Sequence, residues 1–283
     1  MNRYTILRSL LLAQFMYIIT GYTMEPEPKR RKVVTGQESA QQHAVEQASI
    51  LFWAAINTCN KQPLMRLKYT NEVIALLRDA NLSIDVPLFS PKKDERYLAH
   101  MPMLSWAALK NTFDLVELLL DHGASALSTN SASRTPLHFA CLPSDKRKSS
   151  SDQVKIIKLL IEKGASYQAY DLYGYQPLHY LAPTDRSQAS AMEELIKSGA
   201  PINSFILRKG EPRDTALHSA VRCGNEEHIK VLLDHGASIT IKNADGLTVV
   251  DMIALEPTPH SELIREHNLV EEWIMTGEDN DNE

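Results

Sequence analysis

The sequence predicts an all-α solenoid of stacked helix-turn-helix units. A helix-opening phrase occurs four times, as PMLSWA at 102–107, TPLHFA at 135–140, QPLHYL at 176–181 and TALHSA at 215–220. Each copy is followed by an apolar helix that ends in Gly-Ala, at Gly123, Gly164, Gly199 and Gly236. Self-similarity at a near-constant spacing indicates a repeat architecture, in which neighbouring units bury each other's apolar faces.

The spacing of these signals supports the same architecture. The interval from a terminating glycine to the next opening is 12 residues in three cases: Gly123 to Thr135, Gly164 to Gln176, and Gly236 to Thr248. The interval from Gly199 to Thr215 is 16 residues, so four residues are added in that connecting loop. Extra residues also separate the two helices of the second and third copies. Every departure from the pattern therefore falls in a turn.

The residue types of the phrase suit the start of a short helix. Thr135 and Thr215 precede the first turn, where a hydroxyl can accept a hydrogen bond from a free amide. Pro136 and Pro177 take the first helical position, where the missing amide proton costs nothing. The terminating glycines can adopt the left-handed conformation that closes a helix without a Cβ clash. Each unit therefore carries its own start and stop signals.

On these motifs the repeat resembles the ankyrin family, whose signature is Thr-Pro-Leu-His-x-Ala on a period of about 33 residues. The resemblance implies units joined by β-turn or hairpin finger loops. It also implies an array that binds partner proteins at its loop tips and on the exposed side of its first helices. We expect the repeat region to span residues 101–255. Within it we place full repeats at 102–134, 135–175, 176–214 and 215–247, and the start of a last repeat at 248.

The segments on either side of the repeats are predicted to cap the array. Residues 37–100 are interpreted as a degenerate N-terminal capping repeat: the stretch 49–55 has the register of the opening phrase, and Asn81 stands in the glycine position. Asparagine is the next-best residue for the left-handed conformation. Residues 256–276 are expected to form a C-terminal capping helix with a polar outer face. Residues 277–283 are expected to form an acidic, disordered tail.

The N-terminus has the pattern of a secretory signal peptide over residues 1–23. Arg3 and Arg8 precede an uncharged, largely apolar stretch at 9–24, which is short for a membrane span. An uncleaved anchor and a helix buried on the array are the alternatives. Cleavage would leave no stable membrane span in the chain. The signal predicts a secreted or exported protein.

Residues 24–36 are predicted to be a basic linker that contains proline. Four consecutive cations in it match a nuclear-import pattern or simply form a solvated linker: Lys29, Arg30, Arg31 and Lys32. If both signals operate, the protein would be a bacterial effector that acts in the cytoplasm or nucleus of a host cell. That localisation is a hypothesis built on two short motifs.

Composition and motifs favour a binding protein over an enzyme. A net charge of -5 argues against nucleic-acid binding, which normally needs a basic face. Three cysteines, far apart in the sequence, offer neither a zinc motif nor a disulfide framework. We find no phosphate loop, no zinc-protease motif and no nucleophile elbow. We therefore predict no catalytic residues, no cofactor, no metal and no small-molecule substrate.

The predicted function is a non-enzymatic scaffold for protein–protein interaction that binds a partner, such as a host protein in the case of a secreted effector. Stacked repeats offer a long surface to other proteins. The alternative is an adaptor or inhibitor subunit that directs a host enzyme such as a ubiquitin ligase. That role needs a second docking segment, for which residues 34–100 are irregular enough.

Three histidines in register, His138, His179 and His218, invite a metal or catalytic interpretation. Neighbouring helices pack about 10 Å apart, whereas a metal ion reaches its ligands at about 2 Å. We therefore expect each imidazole to bond locally to a loop and to the opening threonine. Cys141 follows His138 by one helical turn; a nucleophile pair is the alternative to an ordinary packed thiol.

The candidate partner-binding residues lie in two consecutive loops. Five of the chain's ten tyrosines occur close together, at Tyr167, Tyr170, Tyr173, Tyr175 and Tyr180. The resemblance to ankyrin repeats implies that Leu172, Tyr173 and Tyr175 lie at the loop tip and that Tyr180 faces the concave side. We predict partner-binding roles for these four residues and for Phe205, Leu207 and Arg208 in the lengthened next loop. Tyrosine is enriched at interface hot spots. The alternative is that these rings cover the neighbouring loop. The first interpretation predicts that replacing Tyr173 and Tyr175 weakens binding without changing thermal unfolding.

Overall fold

The computed structural model describes residues 36–58, 63–88, 101–142, 150–183 and 188–255, together with Ile264. Contacts divide the chain into residues 1–39 and 40–283, and 36–39 are the described part of the first unit. The predicted signal peptide, the four linker cations and the acidic tail lie outside the described residues.

The described elements follow the repeat pattern in the order of the chain. The N-terminal segment contains α1 (Gly36–Thr58) and α2 (Pro63–Asp79). The repeats contain α3 (Met103–Leu109), α4 (Phe113–Asp121), α5 (Pro136–Ala140), α6 (Ser150–Glu162), α7 (Pro177–Leu181), α8 (Ala189–Lys197), β1 (Phe205–Arg208), β2 (Glu211–Thr215), α9 (Ala216–Cys223), α10 (Glu226–Asp234) and α11 (Val249–Leu255). None of the described helices combines the length and apolar character that a membrane crossing needs.

The helices stack as two layers, which confirms the all-α solenoid. The first helices of successive units pack in the order α3, α5, α7, α9, α11, and the second helices in the order α2, α4, α6, α8, α10. The two helices of a unit also contact each other, as in α3–α4, α5–α6, α7–α8 and α9–α10. Each unit is therefore stabilised from both sides by its neighbours.

The core lies between the two layers and is built from the predicted apolar positions. Leu137, Leu178 and Leu217, which follow the opening residue by two positions, are buried. Full burial of such a side chain stabilises the fold by roughly 1.5–3 kcal/mol. At the N-terminal end Trp53 of α1 meets Trp106 of α3 edge to face, with 4.8 Å between ring centroids. This contact joins α1 to the first-helix layer.

The helix stops are those the sequence predicts. The four terminating glycines all have positive φ. At the end of α4 the amide of Gly123 donates to the Leu120 carbonyl and the amide of Ala124 to that of Leu119, which is the Schellman arrangement. Asn81 has φ 55, and the amide of Leu82 donates to the Leu77 carbonyl. The asparagine therefore closes α2 as the glycines close the other units.

The N-terminal segment differs from the expected register. The stretch 49–55 does not open a helix, because α1 runs continuously from residue 36. Ser49 lies inside α1, and its hydroxyl donates to the Val45 carbonyl at 2.7 Å. A serine that bonds back to the preceding turn is compatible with a helix interior, so it gives no start signal here. The next start is Pro63, at the first position of α2.

Two further predicted segments are only partly described. Residues 89–100 of the predicted capping repeat lie outside the described residues. Of the predicted C-terminal capping helix, the structure describes only Ile264, which is helical and buried. The last repeat opens where expected: α11 follows Thr248, whose amide and hydroxyl both donate to the Asp251 carboxylate. Asp251 takes the capping position that histidine holds in three other copies.

Candidate functional site

The loops that join one unit to the next form four fingers, at residues 124–134, 165–175, 200–214 and 237–247. The first, second and fourth fingers share one hydrogen-bonding pattern, in which a side-chain oxygen accepts hydrogen bonds from two backbone amides. Asn130, Asp171 and Asn243 each accept from the amides two and four residues later, at 2.9–3.1 Å. Each lies five residues before the next opening phrase, a recurrence visible in the aligned repeats that the sequence analysis missed.

The third finger contains a β-hairpin in place of this hydrogen-bonded turn. Its four added residues let β1 and β2 pair antiparallel, with Arg208 opposite Glu211. Lys209 and Gly210 form the turn, both with positive φ, which is the backbone that a tight two-residue hairpin needs. The lengthened loop is thus an ordered element, in keeping with the predicted hairpin fingers.

The three histidines bind the fingers to the helices. In His138 and His218, Nδ1 lies 2.9 and 2.8 Å from the hydroxyl of the opening threonine. In all three, Nδ1 accepts from the backbone amide of the opening residue. Because Nδ1 accepts, Nε2 carries the proton and donates to a carbonyl of the following finger: Tyr175 for His138, Ser204 for His179 and Leu247 for His218. The predicted local role is confirmed.

Burial keeps these imidazoles neutral. It lowers the pKa of His138 and His218, and it lowers the pKa of His179 to about 4. Each side chain is almost completely buried. A protonated ring would have two donor nitrogens and would lose the bond from the opening amide. In their neutral form, the histidines therefore fasten each finger to the first helix of its own repeat.

A metal or nucleophile role has no support in the geometry. Within the described ranges, no cluster of three or more His, Cys, Asp or Glu side chains is arranged to hold a metal ion. Cys141 is completely buried, and burial raises the pKa of its thiol far above the ordinary value. A thiol in that state is a weak nucleophile. The ordinary packed thiol is the interpretation that fits Cys141.

Asp171 organises the second finger. Its carboxylate is fully buried and accepts from the Tyr180 hydroxyl at 2.6 Å and from Arg134 Nε at 3.1 Å, besides the two amides of its own turn. Burial alone would raise the pKa of Asp171, but these hydrogen bonds outweigh it and lower the pKa. The Arg134 guanidinium also lies over the rings of Tyr173 and Tyr180. Its Cζ is 5.4 Å from the centroid of the Tyr173 ring and 5.3 Å from that of Tyr180.

Backbone hydrogen bonds join the first three fingers edge to edge. The Leu172 amide donates to the Ala132 carbonyl at 3.0 Å, and the Leu207 amide donates to the Gly174 carbonyl at 2.9 Å. Gly174 has φ 80 and is buried against β1, so an added Cβ would overlap the Leu207 carbonyl. The second finger and the hairpin are therefore neighbours in direct contact.

The predicted partner-binding residues fall into two groups. Leu172 and Tyr173 are 68% and 59% exposed, and Tyr170 beside them is 39% exposed. We call these three residues the finger patch. Arg208 is also exposed, whereas Phe205 and Leu207 are half-buried in the hairpin.

The half-buried tyrosines take part in the packing of the fingers. The rings of Tyr175 and Tyr180 lie 5.5 Å apart, and Tyr175 also meets the ring of His179. The Tyr167 hydroxyl lies 3.1 Å from where a Cβ of Gly199 would be, so this ring covers the neighbouring loop. Replacing Tyr175 would therefore disturb the fold, contrary to the expectation of unchanged thermal unfolding. Leu172 and Tyr173 are the better probes of binding.

Sequence reasoning missed the residues that hold the finger patch in place. Arg134 and Asp171 are far apart in the chain, and their pairing follows only from the stacking of two units. Two features of the sequence could have drawn attention to them: Asp171 occupies the repeated turn position, and Arg134 directly precedes Thr135. Neither residue type identifies the other as its partner.

Comparison with known proteins agrees with this architecture. The family model described as ankyrin repeats (3 copies) matches residues 88–171 and 146–243, which together span more than half of the chain. Inversin of Homo sapiens is 28% identical over 155 residues, 55% of this chain and 13% of inversin. Palmitoyltransferase ZDHHC13 of Mus musculus is 27% identical over 183 residues, 54% of this chain and 28% of that protein.

A third relative matches a shorter stretch more closely. The BRCA1-associated RING domain protein 1 of Caenorhabditis elegans is 39% identical over 84 residues, 30% of this chain and 11% of that protein. The chain thus spans less than a third of the length of each of these relatives. Ankyrin repeats are protein–protein interaction domains and are generally non-enzymatic. The family match, the stacked helix pairs and the repeated opening phrases together place this chain in the ankyrin-repeat family.

Proposed function

We propose that the chain is a protein-binding scaffold whose recognition surface is the finger patch together with the exposed face of the adjoining hairpin. The observation that carries this proposal is the exposure of Leu172 and Tyr173, two large side chains at the tip of an ordered finger. Exposed apolar side chains grouped together commonly mark interaction sites. The repeat fold supports a protein as the partner.

The finger patch is prepared for binding because its backbone is already ordered. Asp171 and the Leu172–Ala132 hydrogen bond hold the loop, and Arg134 holds the Tyr173 ring from one side. A partner would therefore lose little conformational entropy from this surface on binding. The Tyr173 ring adds a large contact area with few rotatable bonds.

The test is differential capture from a cell lysate with the full chain. The double variant Leu172→Ser, Tyr173→Ser should lose at least one protein that the wild type retains, by about tenfold or more, which corresponds to about 1.4 kcal/mol. Its unfolding midpoint should stay close to wild type because both side chains are exposed. Quantitative mass spectrometry of the retained proteins measures the loss.

The matched control is Leu64→Ser, Met65→Ser, which removes two adjacent exposed apolar side chains from α2. The control should retain the partner. If the finger variant keeps every protein that the wild type captures, the finger patch is not the recognition surface.

An adaptor role is the second candidate function. In the relatives named above the matched repeats are a small part of a longer protein, and the name of one includes a RING domain. An adaptor would use a second docking segment, for which α1 and α2 are available, with Leu64 82% exposed. A protein lost from the α2 variant but kept by the finger variant would support this role.

Export of the protein, with action in a host cell, is a further proposal that rests on sequence alone. Export is supported by the basic start and the uncharged stretch at residues 9–24, and action in a host cell by the four consecutive cations at residues 29–32. Sequencing the N-terminus of the secreted protein tests the predicted cleavage, which should leave a chain that begins near residue 24. Recovery of uncleaved, cell-retained protein would contradict it.

A further inference from the structure

The hairpin of the third finger carries an exposed group of cations. Arg208 and Lys209 lie at the end of β1 and in the turn, and Arg213 lies in β2; all three side chains are exposed. Among the described residues, none of the three has a hydrogen-bonding or ion-pair partner on its side chain. We call these three residues the cationic hairpin.

The local charge of the hairpin opposes that of the whole chain. The chain has a net charge of -5, yet Glu211 is the only anion exposed between Arg208 and Arg213. The next anion, Asp214, is already paired with Arg222 at 2.8 Å and accepts from Asn243. Several other cations of the array have such partners, as Arg134 does in Asp171 and Lys197 does in Glu193. The cationic hairpin is therefore available to a negatively charged ligand.

The cationic hairpin adjoins the finger patch. The Leu207 amide donates to the Gly174 carbonyl, so β1 lies directly against the second finger. Leu172 and Tyr173 precede Gly174, and Arg208 and Lys209 follow Leu207. An apolar surface and a positive surface are thus held side by side on two ordered fingers.

We propose that the partner presents an extended acidic peptide segment that contains a large apolar side chain. The apolar side chain lies on the finger patch, and flanking carboxylates bind Arg208, Lys209 and Arg213. Arginine binds carboxylates in a two-point geometry that also fixes orientation. This inference rests on the proposed function and adds the chemistry of the bound segment.

A peptide fits this surface better than a nucleic acid does. Phosphate backbones are bound by broad basic faces that neutralise several charges. Here three cations stand beside an exposed carboxylate, Glu211, and beside apolar side chains, on a chain whose net charge is negative. Complementary charge together with an apolar anchor is typical of protein interfaces.

The test uses a phage-displayed library of random linear peptides selected on the full chain. Selected peptides should be enriched in Asp and Glu beside an aromatic or large aliphatic residue. A fluorescein-labelled peptide from this set should bind the wild type, and high salt should weaken the binding because exposed charges are screened. The variant Arg208→Glu, Arg213→Glu should bind it about tenfold more weakly or worse.

The matched control is Lys68→Glu, Arg78→Glu, which makes the same change in net charge on two exposed cations of α2. The control should keep wild-type affinity. Equal losses in both variants would show a general charge effect and overturn the proposal. Selection of peptides without acidic residues, selection of none, or tighter binding of labelled single-stranded DNA at the hairpin would also overturn it.

Failure of this inference can be told apart from failure of the proposed function. If capture of a protein from lysate depends on Leu172 and Tyr173 but not on Arg208 and Arg213, the finger patch remains the recognition surface, and only the inference of an acidic segment fails. If no captured protein depends on either pair of residues, both the proposed function and the acidic-peptide inference fail.

Discussion

Replacing Gly174 with alanine is expected to lower the free energy of unfolding by about 3 kcal/mol. The residue has φ 80, a conformation that costs alanine about 1–2 kcal/mol. The added methyl group would also overlap the Leu207 carbonyl, so the second finger and β1 must separate. The hydrogen bond from the Leu207 amide to Gly174 would be lost with that movement. Chemical denaturation of both proteins measures the difference.

The matched control for this change is Gly164→Ala. Gly164 has φ 88, but a Cβ there would have no atom within 4 Å. Its substitution should cost only the backbone strain, about 1–2 kcal/mol. Equal losses for the two variants would mean that the fingers are not packed against each other as described.

Acidification from pH 7 to pH 5 is expected to destabilise the array by about 2 kcal/mol through His179 alone. Burial lowers the pKa of this imidazole to about 4 in the folded protein, whereas an unfolded histidine has a pKa of about 6.5. The unfolded state therefore binds more protons in this range. The stability is fully present above pH 6.5 and is lost as the pH falls towards 4.

The pKa shifts of three other groups also make stability depend on pH. Two of them lower stability in the same pH range as His179, and the third acts at lower pH. The pKa of His138 and that of His218 are also lowered by burial, so their contributions add to the loss below pH 6.5. The pKa of Asp171 is lowered by its hydrogen bonds, so the stability it adds is lost only at lower pH, below the ordinary range of an aspartate. The histidines therefore dominate between pH 7 and pH 5.

Variants separate the histidine effect from general acid denaturation. His179→Gln should be less stable than wild type at pH 7, because it loses the imidazole bond to the Ser204 carbonyl, but its stability should depend less on pH. The control His122→Gln changes an exposed histidine at the end of α4 and leaves the buried rings of His138, His179 and His218 in place. The free energy of unfolding of this control should depend on pH as steeply as that of the wild type. An unchanged slope in His179→Gln would contradict the assignment.

The parts of the fold that were predicted correctly depend on local signals. Pro136 and Pro177 begin their helices, Gly123 ends one with positive φ, and the histidines bind their own opening residues. In each case the cause lies within a few positions of the chain. Such signals are visible in a sequence because the interaction is completed inside one unit.

The parts that were missed depend on contacts between units. The pairing of Arg134 with Asp171 requires two units to be stacked in register. The prediction of a helix start at 49–55 was wrong because a short phrase can match by chance inside a longer helix. The four added residues before Thr215 were correctly located, and they lie in the hairpin formed by β1 and β2.

Amide hydrogen exchange tests most directly whether the fingers form one ordered surface that presents the finger patch. The Leu172 amide belongs to a residue that is 68% exposed, yet it donates to Ala132, and the Leu207 amide donates to Gly174. If the fingers are joined as described, both amides should exchange at least about tenfold more slowly than in an unstructured peptide. Exchange of both at the unstructured rate would show that the second finger is not held in place, and would contradict the account.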